Sequence, residues 1–178
     1  GNAAGRTNLL AGFNNTTGTE QAFTGAHVTA NNLQANGGSV SIQATAGINA
    51  VVQSAGVVGA NINNSAAGGL NLTSYGASAL VLVDNSVSAS AVNLTYKNAP
   101  LTLGANSALV TGNGAGKVNV TASGGNLVYS GANVSANGVS FTSTGTISQT
   151  APVTTSVLYT SSAGGTTLTA DRTSCAPT

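Results

Sequence analysis

An apolar, polar, apolar triplet keeps returning along this chain, and no other feature limits its folding choices as much. Val40-Ser41-Ile42, Leu70-Asn71-Leu72, Val92-Asn93-Leu94, Val118-Asn119-Val120 and Val139-Ser140-Phe141 begin at intervals of 30, 22, 26 and 21 residues. Period-two alternation puts the outer residues of each triplet on one face of a strand and the middle residue on the other. Such a strand cannot bury its apolar face alone, and a repeat of this length signals units that stack on one another.

Two further apolar sets lie between the triplets. The first comprises Ile48, Leu80 with Leu82, Leu101 with Leu103, Leu127 with Tyr129, and Ile147; the second comprises Val57 or Ile62, Val87, Leu109, Val134 and Val157. Turn residues separate them, at Gly68-Gly69, Gly104-Ala105-Asn106, Gly112-Asn113-Gly114, Gly124-Gly125 and Asn137-Gly138, where Gly and Asn accept the backbone angles of tight corners. The expected fold is all-β: a parallel β-helix, or β-solenoid, with three short strands per coil. At the usual strand spacing, about seven coils would make a rod of about 35 Å.

In this arrangement Val40, Leu70, Val92, Val118 and Val139 stack inside. Ser41, Asn71, Asn93, Asn119 and Ser140 then line up outside as a polar column, able to hydrogen-bond along the rod. Residues 1–37 carry Phe13, Phe23, His27 and Val28 without a clear triplet and read as irregular N-terminal coils or a cap. Residues 38–178 read as the solenoid coils of one continuous domain, with a last coil at Leu168. The end of a solenoid presents unpaired backbone, so it needs a cap, adjoining coils or another copy of itself.

Charge narrows the function. Charged residues are 4% of the chain against about a quarter in ordinary globular proteins, and the net charge is +1. Arg6, Lys97, Lys117 and Arg172 are scattered, so the run of cations that a nucleic-acid groove uses is missing. The longest apolar run, Ala79 to Val83, is far below the roughly 18 residues of a membrane span, so no transmembrane segment is expected. The chain contains no methionine, and is expected to be a processed form or an excised segment.

No catalytic, cofactor or metal residues are assigned. The acidic residues Glu20, Asp84 and Asp171 fall on unrelated coils, whereas glycoside hydrolysis commonly needs two carboxylates together. His27 lacks marked Ser and carboxylate partners, and calcium-binding β-rolls repeat an Asp that is absent here. Cys175, the single cysteine, is left for an intermolecular thiol bond or for none.

Asn-x-Ser/Thr sequons begin at Asn14, Asn15, Asn63, Asn71, Asn93, Asn119 and Asn133, and three fall in the outward column. Plain hydrogen-bonding asparagines are the favoured reading. Of the tyrosines, Tyr129 shares a face with Leu127 and is expected in the core, while Tyr96, beside Lys97 at a corner, is the one expected at the surface. Thr142, Thr144 and Thr146 suggest an ice-binding array, but the positions matched to them in earlier coils, Gln43, Ala44 and Tyr96, do not continue it.

The phrases GGSVSIQATAGI, GGLNLTSYGASALVL and GKVNVTASGGNLVYSGANVSANGVSF resemble the haemagglutinin-type repeats of two-partner secretion exoproteins, the filamentous-haemagglutinin-like family, over about residues 38–150. The resemblance implies a right-handed parallel β-helix, export across a bacterial outer membrane, and work as a cell-surface adhesin or biofilm-matrix fibre. The family's C-terminal anchors use a pair of cysteines, where this chain has Cys175 alone. Expected partners are other copies of the chain, adjoining solenoid coils, and cell-surface or matrix carbohydrate. The alternatives are a self-assembling subunit of an extracellular filament and, further off, an ice-binding or carbohydrate-binding module.

Overall fold

Short alternating segments separated by brief corners, most of them small or polar in sequence, wind into coils wherever the chain is described. The computed structural model describes residues 6–11, 27–35, 39–54, 56–62, 69–85, 90–111, 115–170 and 172–173, none of them helical. Strands β1 (Arg6–Ala11) and β2 (His27–Ala35) are followed by β3 (Ser39–Ala44), β4 (Gly47–Ser54), β5 (Val57–Ile62), β6 (Leu70–Tyr75), β7 (Ala79–Asp84) and β8 (Ala91–Lys97). These alternate between a front and a back sheet. Next come β9 (Leu101–Gly104), β10 (Ala108–Thr111), β11 (Lys117–Ala122), β12 (Leu127–Ser130), β13 (Asn133–Ser135) and β14 (Gly138–Ser143). The chain continues through β15 (Ile147–Gln149), β16 (Val153–Thr154), β17 (Val157–Ser162), β18 (Thr166–Leu168) and β19 (Arg172–Thr173).

Laid side by side, the strands form a seven-stranded front sheet in the order β17-β14-β11-β8-β6-β4-β2 and a six-stranded back sheet in the order β1-β3-β5-β7-β10-β13. A four-stranded side sheet, β18-β15-β12-β9, makes the third face from β9 onward, and β16 pairs with β19. All of these pairings are parallel. The fold is therefore the expected β-solenoid, wound through about six turns from β2 to β17.

Four of the five triplets stack as expected. Leu70, Val92, Val118 and Val139 are directly superposed and buried, and Leu72, Leu94, Val120 and Phe141 form the next inward column. The fifth triplet is a correction. Val40-Ser41-Ile42 lies in β3 of the back sheet, against Val58-Gly59-Ala60, and Ile48-Asn49-Ala50 of β4 takes the place in front of Leu70. The 30 residues from Val40 to Leu70 thus cover one coil plus one side. Alternation reads the same on every side of a solenoid, so it gives the face of a strand but not which sheet the strand joins.

The other two sets are corrected by the same logic. Leu101, Leu127 and Ile147 do superpose in the side sheet, but Ile48 belongs to the front sheet and Leu80 with Leu82 to the back sheet. In the back sheet Ala60, Leu82, Leu109 and Val134 form one column, with Ile62 buried beside it. Val57 points outward there, and Val157 lies in β17 of the front sheet against Gly138. Val87 lies outside the described residues. Strand β1 pairs with β3 and β2 with β4, the latter with a bulge between Ala30 and Leu33, so segments of residues 1–37 already join the coils.

The core is a continuous run of Val, Leu, Ile and Ala with three rings, Tyr96, Tyr129 and Phe141, in its C-terminal half. Tyr129 and Phe141 stack with centroids 5.7 Å apart at 29°, and the Tyr129 hydroxyl donates to the Ala132 carbonyl oxygen at 2.6 Å. Each buried Leu or Phe contributes about 1.5–3 kcal/mol, and register along the columns follows from filling them in order. Corners stack as well: Asn98 occupies φ 70°, and Ser123 N–H donates to the Tyr96 carbonyl oxygen at 2.9 Å.

Toward β17 and β18 the inward columns are less covered than in the preceding coils. In β17 the inward residues Leu158, Thr160 and Ser162 are only half-buried, and every residue of β18 is exposed. Leu168, inward in register with Gln149, is 46% exposed.

Candidate functional site

The front sheet carries the most regular outer surface. Asn49, Asn71, Asn93, Asn119, Ser140 and Tyr159 superpose in successive strands and all point away from the core. Asn93 Nδ2 donates to Asn71 Oδ1 at 2.8 Å, and Asn119 Nδ2 donates to Asn93 Oδ1 at 2.8 Å. Stacking at strand spacing brings each amide donor to the acceptor one coil away, which is why Asn recurs here. Ser41, expected in this column, faces outward from the back sheet, beside Asn8 and Gly59. Asn49 fills its register, and the apolar, polar, apolar alternation of Ile48-Asn49-Ala50 is the signal for it.

Two positions along, Thr73, Thr95, Thr121 and Thr142 form a second outward column. This corrects the expectation that Thr142 matches Gln43 or Tyr96. The column is one residue wide, starts beside Val51 and is flanked by amides that bond to one another, so no second rank of threonines broadens it.

The tyrosines also reverse one expectation. Tyr96 is buried, inward between Ser74 and Ala122, whose small side chains leave it room, and its hydroxyl donates to the Ala77 carbonyl oxygen at 3.4 Å. Its position four residues after inward Val92 carried that signal. Tyr129 is buried as expected. Burial raises the pKa of both Tyr96 and Tyr129, and a backbone hydrogen bond with Gly76 partly offsets the rise at Tyr96. Among the described rings the exposed one is Tyr159, at 62%.

Tyr159 borders a groove of about 300 Å³ that crosses the front sheet at β14. The floor is low because Gly138 has no side chain and Ser140 has a short one. Lys117 and Asn119 of β11 stand on one side, Val157 and Tyr159 of β17 on the other, each in register with Gly138 or Ser140. Asn137 closes one end. The walls are therefore two strand spacings apart, about 10 Å, and they join one cation, one exposed ring and several uncharged donors and acceptors. A second groove of about 240 Å³, lined by Val28, Thr29, Asn49 and Asn71 among others, carries no charged group.

Among the described side chains Lys97 and Lys117 are the only Lys or Arg, both exposed, and Asp84, buried, is the only carboxyl. No group of three His, Cys, Asp or Glu is brought together among the described residues. Glu20, Asp171, Cys175 and the sequons at Asn14, Asn15 and Asn63 lie outside the described residues, as does the side chain of His27. The sequon Asn133 is exposed in β13. No family model, no curated protein and no solved structure matches this chain.

Proposed function

We propose that the chain is a rod segment of a secreted bacterial surface adhesin or biofilm-matrix protein, working outside the cell as a stiff, sparsely charged element that meets other surfaces. The observation that carries this reading is the unbroken front-sheet stack, in which like residues superpose strand after strand and Asn71, Asn93 and Asn119 are tied in a ladder. Nearest-neighbour packing of that kind gives length and rigidity in proportion to the number of coils. A polar face with almost no charge can approach another surface without strong repulsion. The likeness of the repeats to filamentous-haemagglutinin-like exoproteins supports the same role.

The test is to display the chain on the outer surface of a non-adherent bacterium and count cells retained on glass and on matrix-coated surfaces under flow. Retention several-fold above that given by an unrelated carrier of equal length is expected. Equal retention would remove the adhesive reading.

A second reading, a self-assembling filament subunit, is favoured by apolar side chains left uncovered on core-facing columns, Leu158 half-buried in β17 and Leu168 exposed in β18. Sedimentation across concentration, with electron microscopy, separates the two readings: fibres that disappear in Leu168→Asn support a filament, and a monomer at all concentrations supports the rod segment.

A further inference from the structure

We propose that the groove across β14 binds a carboxylated pyranose of an acidic polysaccharide, with Tyr159 as the stacking surface and Lys117 as the partner of the carboxylate. The inference rests on the adhesive reading above and names the chemistry it meets.

The argument begins with Tyr159. It lies on the outward face of β17, alternating with the inward Leu158 and Thr160, so its exposure follows from strand geometry. An exposed ring on a wall of a groove offers a flat apolar surface with a polar tip. A pyranose presents the complement, an apolar C–H face edged with hydroxyls. The groove supplies groups for those hydroxyls, from Asn119, Asn137 and Ser140. Walls about two strand spacings apart admit a single sugar ring lying against Tyr159.

Charge then selects the sugar. Lys117 stands across Gly138 from Val157, and no described carboxyl side chain is exposed to compete for it. On so sparsely charged a surface, one ammonium at a groove favours an anionic ligand. Lys acts as a point charge, which suits one carboxylate on a ring.

Gly138 gives the experiment its cleanest variant. A Cβ there would meet only Lys117 Cγ, at an ordinary 3.6 Å, so Gly138→Val fills the groove without straining the backbone, in a strand that favours β-branched residues. Oligogalacturonate, its fully methyl-esterified form and a sialylated oligosaccharide are titrated into the isotopically labelled chain, following amide chemical shifts. Oligogalacturonate is expected to shift the amides of residues 117–119, 137–140 and 157–159 and to bind at least tenfold more tightly than its ester. Gly138→Val and Tyr159→Ala should each weaken it tenfold or more, and Lys117→Gln should make acid and ester bind alike. Lys97→Gln, a change of the other described exposed lysine, should leave binding unchanged.

Tighter binding of the sialylated probe at the same amides keeps the proposal and changes only the source of the carboxylate. Equal binding of acid and ester by the wild-type chain, shifts elsewhere, or no binding of any probe would overturn it. Surface retention without sugar binding removes this groove alone, whereas loss of both removes the adhesive reading as well.

Discussion

Asn119 donates from Nδ2 to Asn93 Oδ1 at 2.8 Å, and Asn93 repeats the same bond to Asn71, so that one side chain, Asn93, is both acceptor and donor across three consecutive coils. The ladder is part-exposed, and water competes for it. Replacing Asn93 by Ala removes two bonds at once, each with a net contribution of about 0.5–1.5 kcal/mol, so a loss of about 1–3 kcal/mol is expected. Asn49→Ala, for which no such side-chain bond is formed along the ladder, should cost less. Urea unfolding of the two variants checks the order; an Asn93→Ala loss no greater than that of Asn49→Ala would mean that the ladder is geometry without stability.

The core is most sensitive where two of its rings, Tyr129 and Phe141, meet. Phe141 is fully buried and stacked on Tyr129, so Phe141→Ala is expected to cost about 3–5 kcal/mol. Tyr129→Phe keeps the ring but leaves the Ala132 carbonyl oxygen without its 2.6 Å donor, at a cost of about 1–2 kcal/mol. The two side chains touch, so the double variant should depart from the sum of the singles, as a double-mutant cycle by urea unfolding will show.

What was legible in the sequence follows from what alternation encodes. Leu70, Val92, Val118 and Val139 return at coil length as like side chains, and they do stack in one column. Ser41 reads as a front-column residue from sequence because Val40-Ser41-Ile42 alternates as well as any front-sheet triplet; only the two-residue corner Thr45-Ala46, which holds no Gly, marks the change of side. The groove was not legible at all. It depends on Gly138 lying under a gap between Lys117 and Val157, residues 19 to 21 positions away whose adjacency exists only once the coils are in register.

Tyr96 and Tyr129 tie stability to alkaline pH. Burial raises both above the ordinary value of 10.0, so the folded state holds protons that the unfolded chain releases. Unfolded Tyr titrates near pH 10, and the unfolded chain binds fewer protons above that value. Stability is therefore intact below about pH 10 and falls as pH rises through the raised folded values. Urea midpoints measured across this range should decline more steeply in the wild type than in Tyr129→Phe, and phenolate absorbance from these two residues should appear only above the ordinary value. Parallel declines in the two proteins would remove Tyr129 from the account.

Corners set how closely coils approach, and two glycines separate the effect of space from that of conformation. A Cβ on Gly124 would run into backbone atoms of Asn98 and Ala99 in the preceding coil, and backbone stacked in a corner has no flexible end to swing aside. The clash must spread the coils where Ser123 N–H reaches the Tyr96 carbonyl oxygen, so Gly124→Ala is expected to cost about 1–3 kcal/mol. Gly69 also borders a front-sheet strand, but a Cβ there would meet nothing within 4 Å, and Gly69→Ala should change stability by no more than about 0.5 kcal/mol. Because each variant gains the same methyl group, the difference between their urea midpoints isolates coil contact from the lower chain entropy that any Gly→Ala change brings. Equal midpoints would show that the corners are not in contact, and with that the close axial stacking of Asn98-Ala99 on Gly124 would have to be redrawn.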